Sequence, residues 1–147
     1  NMSKYEPLWK YLKENKKGTE FIDYRITENS KQINVYGHNS KTYNLPFHKL
    51  EQFKNEKFFN NNQYIILETK KKIKKYQILS FKEIVNDYEH MQLNLTKKDY
   101  LNHIQKLKEN SIFSREIPFT ETSNILIIQT CSYDTLDSFY ILVAVEV

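Results

Sequence analysis

The chain has 147 residues, 39% of them hydrophobic and 27% charged, with two Gly, three Pro, one Cys and a formal charge of +4. That length and composition suit one domain over 1–147 with a single sizeable core, and exclude a collagen-like or linker-rich chain. One cysteine excludes an intramolecular disulfide framework and any multi-thiolate zinc site. The longest apolar run, Phe139 to Val145, is far shorter than the roughly 18 to 20 residues of a membrane-spanning helix.

Charge is unevenly placed: residues 1–110 carry 21 Lys/Arg against 13 Asp/Glu, and 111–147 carry one against five. The densest run, Lys70-Lys71-Lys72-Ile73-Lys74-Lys75, reads as a solvated turn between strands, and no nucleic-acid partner is expected. Bidentate phosphate recognition favours Arg, and the chain has only Arg25 and Arg115. The start, Asn1-Met2-Ser3-Lys4, lacks the apolar region of a signal peptide, and Asn1 ahead of Met2 suggests a residue left by cloning.

Residues 1–17 hold an expected N-terminal helix over 5–15, with Leu8, Trp9 and Leu12 at helical spacing and Gly18 as a stop. Strands are expected at 19–24 and 32–36, separated by the turn-like Glu28-Asn29-Ser30. Phe47, Leu50 and Phe53 lie three apart after Pro46, predicting a helix over 46–60. Strands follow at 64–68 and 74–85, where Tyr76, Ile78 and Phe81 are assigned to one face. A helix over 97–110 is predicted with Thr96 as its cap and Tyr100, Leu101, Ile104 and Leu107 as its buried face. Two strongly apolar strands close the chain, 125–130 and 139–147, joined by a polar loop.

Chemistry is concentrated at two strand ends. Cys131 closes the run Ile125-Leu126-Ile127-Ile128-Gln129-Thr130, and His38 follows Val35-Tyr36-Gly37. A thiol becomes a nucleophilic thiolate beside an imidazolium or similar charge, so these two form a candidate pair. The bland alternative makes Cys131 a small buried hydrophobe. His48 and His103 in predicted helices and His90 in a polar loop read as surface or partly buried structural residues. Asp134 and Asp137 read as a solvated loop.

Thr130-Cys131 after an apolar strand resembles the Thr-Leu-x-Thr-Cys signature of sortases, and Tyr36-Gly37-His38-Asn39 resembles their histidine motif. Class B sortases in particular are similar at Gly18-Thr19-Glu20-Phe21-Ile22-Asp23-Tyr24-Arg25, at Leu50 to Phe59, at Lys75-Tyr76-Gln77-Ile78-Leu79-Ser80 and at Ile127 to Tyr133. The resemblance covers about residues 18–147 in the family's order. It implies a mainly β, mostly antiparallel sortase-like barrel with two or three peripheral helices and without the family's first two strands. Open strand edges would then invite a homo-oligomer.

The implied function is a cysteine transpeptidase that cleaves an Asn-Pro-x-Thr type sorting signal through a thioacyl-enzyme and transfers it to an amine of peptidoglycan or a pilin. Cys131 is the implied nucleophile, His38 the acid/base and Thr130 a groove-lining residue, with no metal or cofactor. The implied location is the extracellular face of the membrane of a Gram-positive cell, through an anchor outside this chain. The family's arginine, expected near Phe139, is absent, leaving Arg25 or Arg115 as the only relocated substitutes. The alternative is therefore a sortase-like domain impaired in catalysis that binds a peptide or protein.

Overall fold

The computed structural model describes residues 21–22, 30–37, 46–68, 73–131 and 138–147. The expected helix over 5–15 lies outside them, as do Arg25, His38, Lys70 to Lys72, Asp134 and Asp137. The strands are β1 (Phe21–Ile22), β2 (Gln32–Gly37), β3 (Tyr64–Glu68), β4 (Ile73–Val85), β5 (Phe113–Ser114), β6 (Ile125–Cys131) and β7 (Ser138–Glu146). They make one sheet in the order β1-β2-β6-β7-β4-β3, with β5 also on β4. The sheet curls into a half-barrel and is antiparallel except where β2 runs parallel to β6. The mainly β, mostly antiparallel expectation holds. Among the described residues no helix is long and apolar enough to cross a membrane.

Both faces of the central strands are covered, which is why β6 and β7 are apolar without alternation. Leu126 and Ile128 of β6 and Tyr140, Leu142 and Ala144 of β7 enter one buried cluster, whereas Ile125, Ile127, Ile141, Val143 and Val145 enter a second. Strand β4 serves both through a bulge between Ile78 and Ser80. The extra residue restores the phase, so Tyr76, Ile78 and Phe81 all reach the first cluster despite the odd spacing of the last two. Phe81 stacks there on Tyr140 at 5.6 Å.

The predicted helix over 46–60 is two elements: a 3-10 helix, Pro46–Lys54, and helix α1, Glu56–Asn61. A stripe repeating every three residues matches the 3-10 period rather than the α period. Asn55 then starts a new helix, its side chain accepting the Phe58 N–H at 3.0 Å. Leu50, Phe53 and Phe59 seal the first cluster.

Helix α2, Lys97–Lys108, begins at Thr96 as expected, with Oγ1 accepting from the Asp99 N–H. Its buried face is Tyr100, His103, Ile104 and Leu107; Leu101 is half-buried and His103 takes the place assigned to it. Lys82, 6% exposed on β4, donates to the Lys106 and Glu109 carbonyls at 3.3 and 3.1 Å. A cation thereby satisfies the carbonyls left over at the helix C-terminus, and burial pushes its ammonium pKa down.

Candidate active site

Strands β2 and β6 end side by side. Their parallel register pairs Gln32 with Ile125 and, at the far end of the ladder, Gly37 with Thr130. Cys131 is the next residue of β6 and His38 follows Gly37 in the chain. On its other side β6 meets β7, pairing Thr130 with Tyr140 and Cys131 with Phe139.

Thr130 is 1% exposed, and its Oγ1 has no partner among the described residues. Strand alternation puts it on the face of Leu126 and Ile128, beside Tyr140. The part-exposed residues at this end of the two strands include Tyr36 and Gln129, which are register partners.

Next to them lies a buried polar network. Gln32 and Asn34 alternate with Ile33 and Val35 on β2 and so occupy the opposite face, at 5% and 1% exposure. Gln32 Nε2 donates to Asn34 Oδ1 at 2.8 Å and to the His90 carbonyl at 2.9 Å, and Asn34 Nδ2 donates to the same carbonyl at 2.8 Å. His103 Nε2 lies 2.7 Å from Gln32 Oε1, and His103 Nδ1 lies 2.6 Å from Glu89 Oε2. The His90 ring reaches forward instead: its Nε2 lies 2.5 Å from Gln129 Oε1.

Both imidazoles are almost fully buried, at 2% and 1% exposure. Burial pushes the His90 pKa below its ordinary value. It does the same to His103, where the Glu89 hydrogen bond and charge oppose it. Neither histidine is at the surface, and both are wired into the sheet. A signal existed in the sequence for His103, which lies three residues after Tyr100 and four before Leu107 on the apolar stripe. Nothing local marked His90 or the pairing of Gln32 and Asn34 with it.

Arg115 is no substitute for the missing arginine. Its Nη1 donates to the Ile78 carbonyl at 2.9 Å, its Nη2 to the Phe59 carbonyl, and its guanidinium lies 4.0 Å from the Phe59 ring centre. Ile78 is in register with Ala144, and Ala144 with Leu126. That is five residues before Cys131, on the order of 16 Å along the strand.

No family model matches the sequence, and no curated protein does. Solved structures do. The sortase B of Clostridium perfringens superposes with a TM-score of 0.80 at 29% identity, covering 88% of this chain and 73% of that one. A cysteine-to-serine form of the same protein gives 0.81 at 29%, covering 88% and 64%. The chain has a class B sortase-like fold. The same sortase-like fold is found in sortase B from the type II pilus of Streptococcus pneumoniae, with a TM-score of 0.80 at 20% identity over 88% of this chain and 75% of that one. A Staphylococcus aureus sortase B–substrate complex gives 0.78 at 22%, over 89% and 62%. A further matched sortase B is complexed with triglycine. The sortase-like chain thus spans only 64% and 73% of the length of the two C. perfringens structures.

Proposed function

We propose that the chain is a sortase-type cysteine transpeptidase with Cys131 as nucleophile and His38 as its acid/base. The observation that carries this reading is the β2–β6 register, in which the residue before His38 is paired with the residue before Cys131. Thiolate activation requires an imidazole close to the thiol, and two strands that end together suit that requirement.

The Cys131 thiolate attacks the carbonyl carbon of the threonine in an Asn-Pro-x-Thr type sorting signal. A C–S bond forms, the following C–N bond breaks, and the leaving amine takes a proton from His38. An amine of peptidoglycan or a pilin, deprotonated by His38, then attacks the thioester. The new C–N bond forms as the C–S bond breaks, and the thiolate returns. A peptide donor and an amine acceptor are supported as ligand classes by the matched sortase B structures with substrate and with triglycine. The proposed place of action is the extracellular face of the membrane of a Gram-positive cell.

A second reading, a sortase-like domain that binds peptide without turning it over, is favoured by one observation: the register partner of Cys131 is Phe139 rather than a cation. Mass spectrometry of the protein incubated with a set of Asn-Pro-x-Thr peptides separates the two. A thioacyl adduct absent from both Cys131→Ala and His38→Ala is expected. No adduct, with Cys131 still open to a small thiol reagent, gives the second reading instead.

A further inference from the structure

We propose that Gln129 is a substrate-binding donor and that His90 is its positioning residue. This rests on the transpeptidase reading of the same site. Gln129 precedes Cys131 by two residues and is part-exposed, whereas Ile125 to Ile128 and Thr130 are buried. An amide side chain has one acceptor oxygen and two N–H donors. Here the oxygen is occupied by His90 Nε2 at 2.5 Å, and the NH2 group has no partner among the described residues.

The orientation is held from deep inside the sheet. The His90 backbone is pinned through its carbonyl by Gln32 and Asn34, and Gln32 is held by His103, whose Nδ1 lies against Glu89. A buried polar string of this kind is tolerable only when its members are satisfied. Gln32, Asn34, the His90 carbonyl and His103 Nε2 satisfy one another, and the string delivers an amide N–H pair beside the β6 strand end. Acyl transfer develops negative charge on the carbonyl oxygen under attack, and a donor already fixed in place stabilises it without reorganisation. Strand β7 offers only the ring of Phe139 in register with Cys131. The Gln129 NH2 group therefore donates to a backbone carbonyl of the peptide at or next to the scissile bond, where the family's arginine is missing.

Gln129→Glu keeps the size and the acceptor for His90 but removes both donors. The acylation rate with the Asn-Pro-x-Thr set is expected to fall ten- to a hundredfold, while Cys131 alkylation by iodoacetamide changes less than threefold and the melting temperature does not drop. His90→Leu should cost the same factor, His90→Gln should stay within threefold because its amide can still donate to Gln129, and Gln129→Glu with His90→Leu should add nothing further. Acylation by Gln129→Glu within threefold of the parent protein overturns the inference. A second measurement follows the Gln129 side-chain NH2 resonances of Cys131→Ala protein as peptide is added. If the parent forms no adduct but these resonances shift, the transpeptidase reading fails and Gln129 stands as a peptide-binding donor. No adduct and no shift overturn both.

Discussion

Cys131 and Phe139 are cross-strand partners at the end of the β6–β7 ladder, so an aromatic residue occupies the rung of the candidate nucleophile. Loss of an oxyanion donor costs about 3 to 4 kcal/mol of barrier stabilisation in enzymes of this chemistry. Phe139→Arg is expected to raise the acylation rate with sorting peptides at least tenfold, measured by mass spectrometry. Phe139 packs partly against the second cluster, so the same substitution should lower stability by about 1 to 2 kcal/mol. An unchanged or lower rate would mean that this rung does not face the reacting carbonyl.

Acid should loosen the protein through His90. Burial lowers its pKa, Asp87 and the Gln129 hydrogen bond oppose that, and Lys82 and His103 add to it. The unfolded chain binds a proton near pH 6.5, where the native state does not. Stability is then complete above that pH and falls as the pH drops from there toward the folded value. Melting temperatures recorded from about pH 8 to about pH 5 should decline, and His90→Gln should flatten the decline.

Glu89→Gln should stabilise the fold at neutral and alkaline pH. The amide of Gln32 gives both N–H donors to oxygens, so its Oε1 requires the proton of His103 on Nε2. The Nδ1 of a neutral His103 then presents a lone pair to the Glu89 carboxylate at 2.6 Å. An amide nitrogen at the same place would donate to it. Glu89→Ala removes the carboxylate but supplies no donor for that lone pair, so it should be less stable than Glu89→Gln. Chemical denaturation of both variants at pH 8 decides the matter, and a Glu89→Gln protein no more stable than Glu89→Ala would sink the assignment.

Arg115→Ala should lower stability by about 2 kcal/mol or more, because the Ile78 and Phe59 carbonyls lose a charged donor and Phe59 loses its stacking partner. Cys131 alkylation should be unaffected. A fall in thiol reactivity that outlasts restored stability would return Arg115 to the active site.

Lys82→Ala should release the last turn of α2, since the Lys106 and Glu109 carbonyls lose their cation. A loss of about 1.5 to 3 kcal/mol is expected. Amide hydrogen exchange should rise in residues 104–109 first, and uniform acceleration over the sheet would contradict a local cap.

The apolar runs 125–130 and 139–147 were legible as strands because long, strongly hydrophobic segments admit few alternatives. The pairing of Cys131 with His38 is proposed through the two motifs, for neither periodicity nor spacing states which strands become neighbours. The bulge after Ile78 was visible only as the odd placement of Phe81. The 46–60 segment divides because its every-third-residue stripe has the 3-10 period and Asn55 caps a new helix, a local signal that a single stripe hides. The polar network escaped because its members, from Gln32 to Gln129, meet through tertiary contacts. A glutamine on a strand looks the same whether it faces water or a buried histidine.

Every rung of the β2–β6 pairing joins residues about 90 positions apart, and contacts of that range form late because the loop between them must close first. Strand β6 also needs β7 on its other edge. The ends of β2 and β6 therefore remain apart while the chain is still emerging and folding. The proposed chemistry on a peptide would wait for β7, which would keep a half-made molecule from cutting or capturing its neighbours.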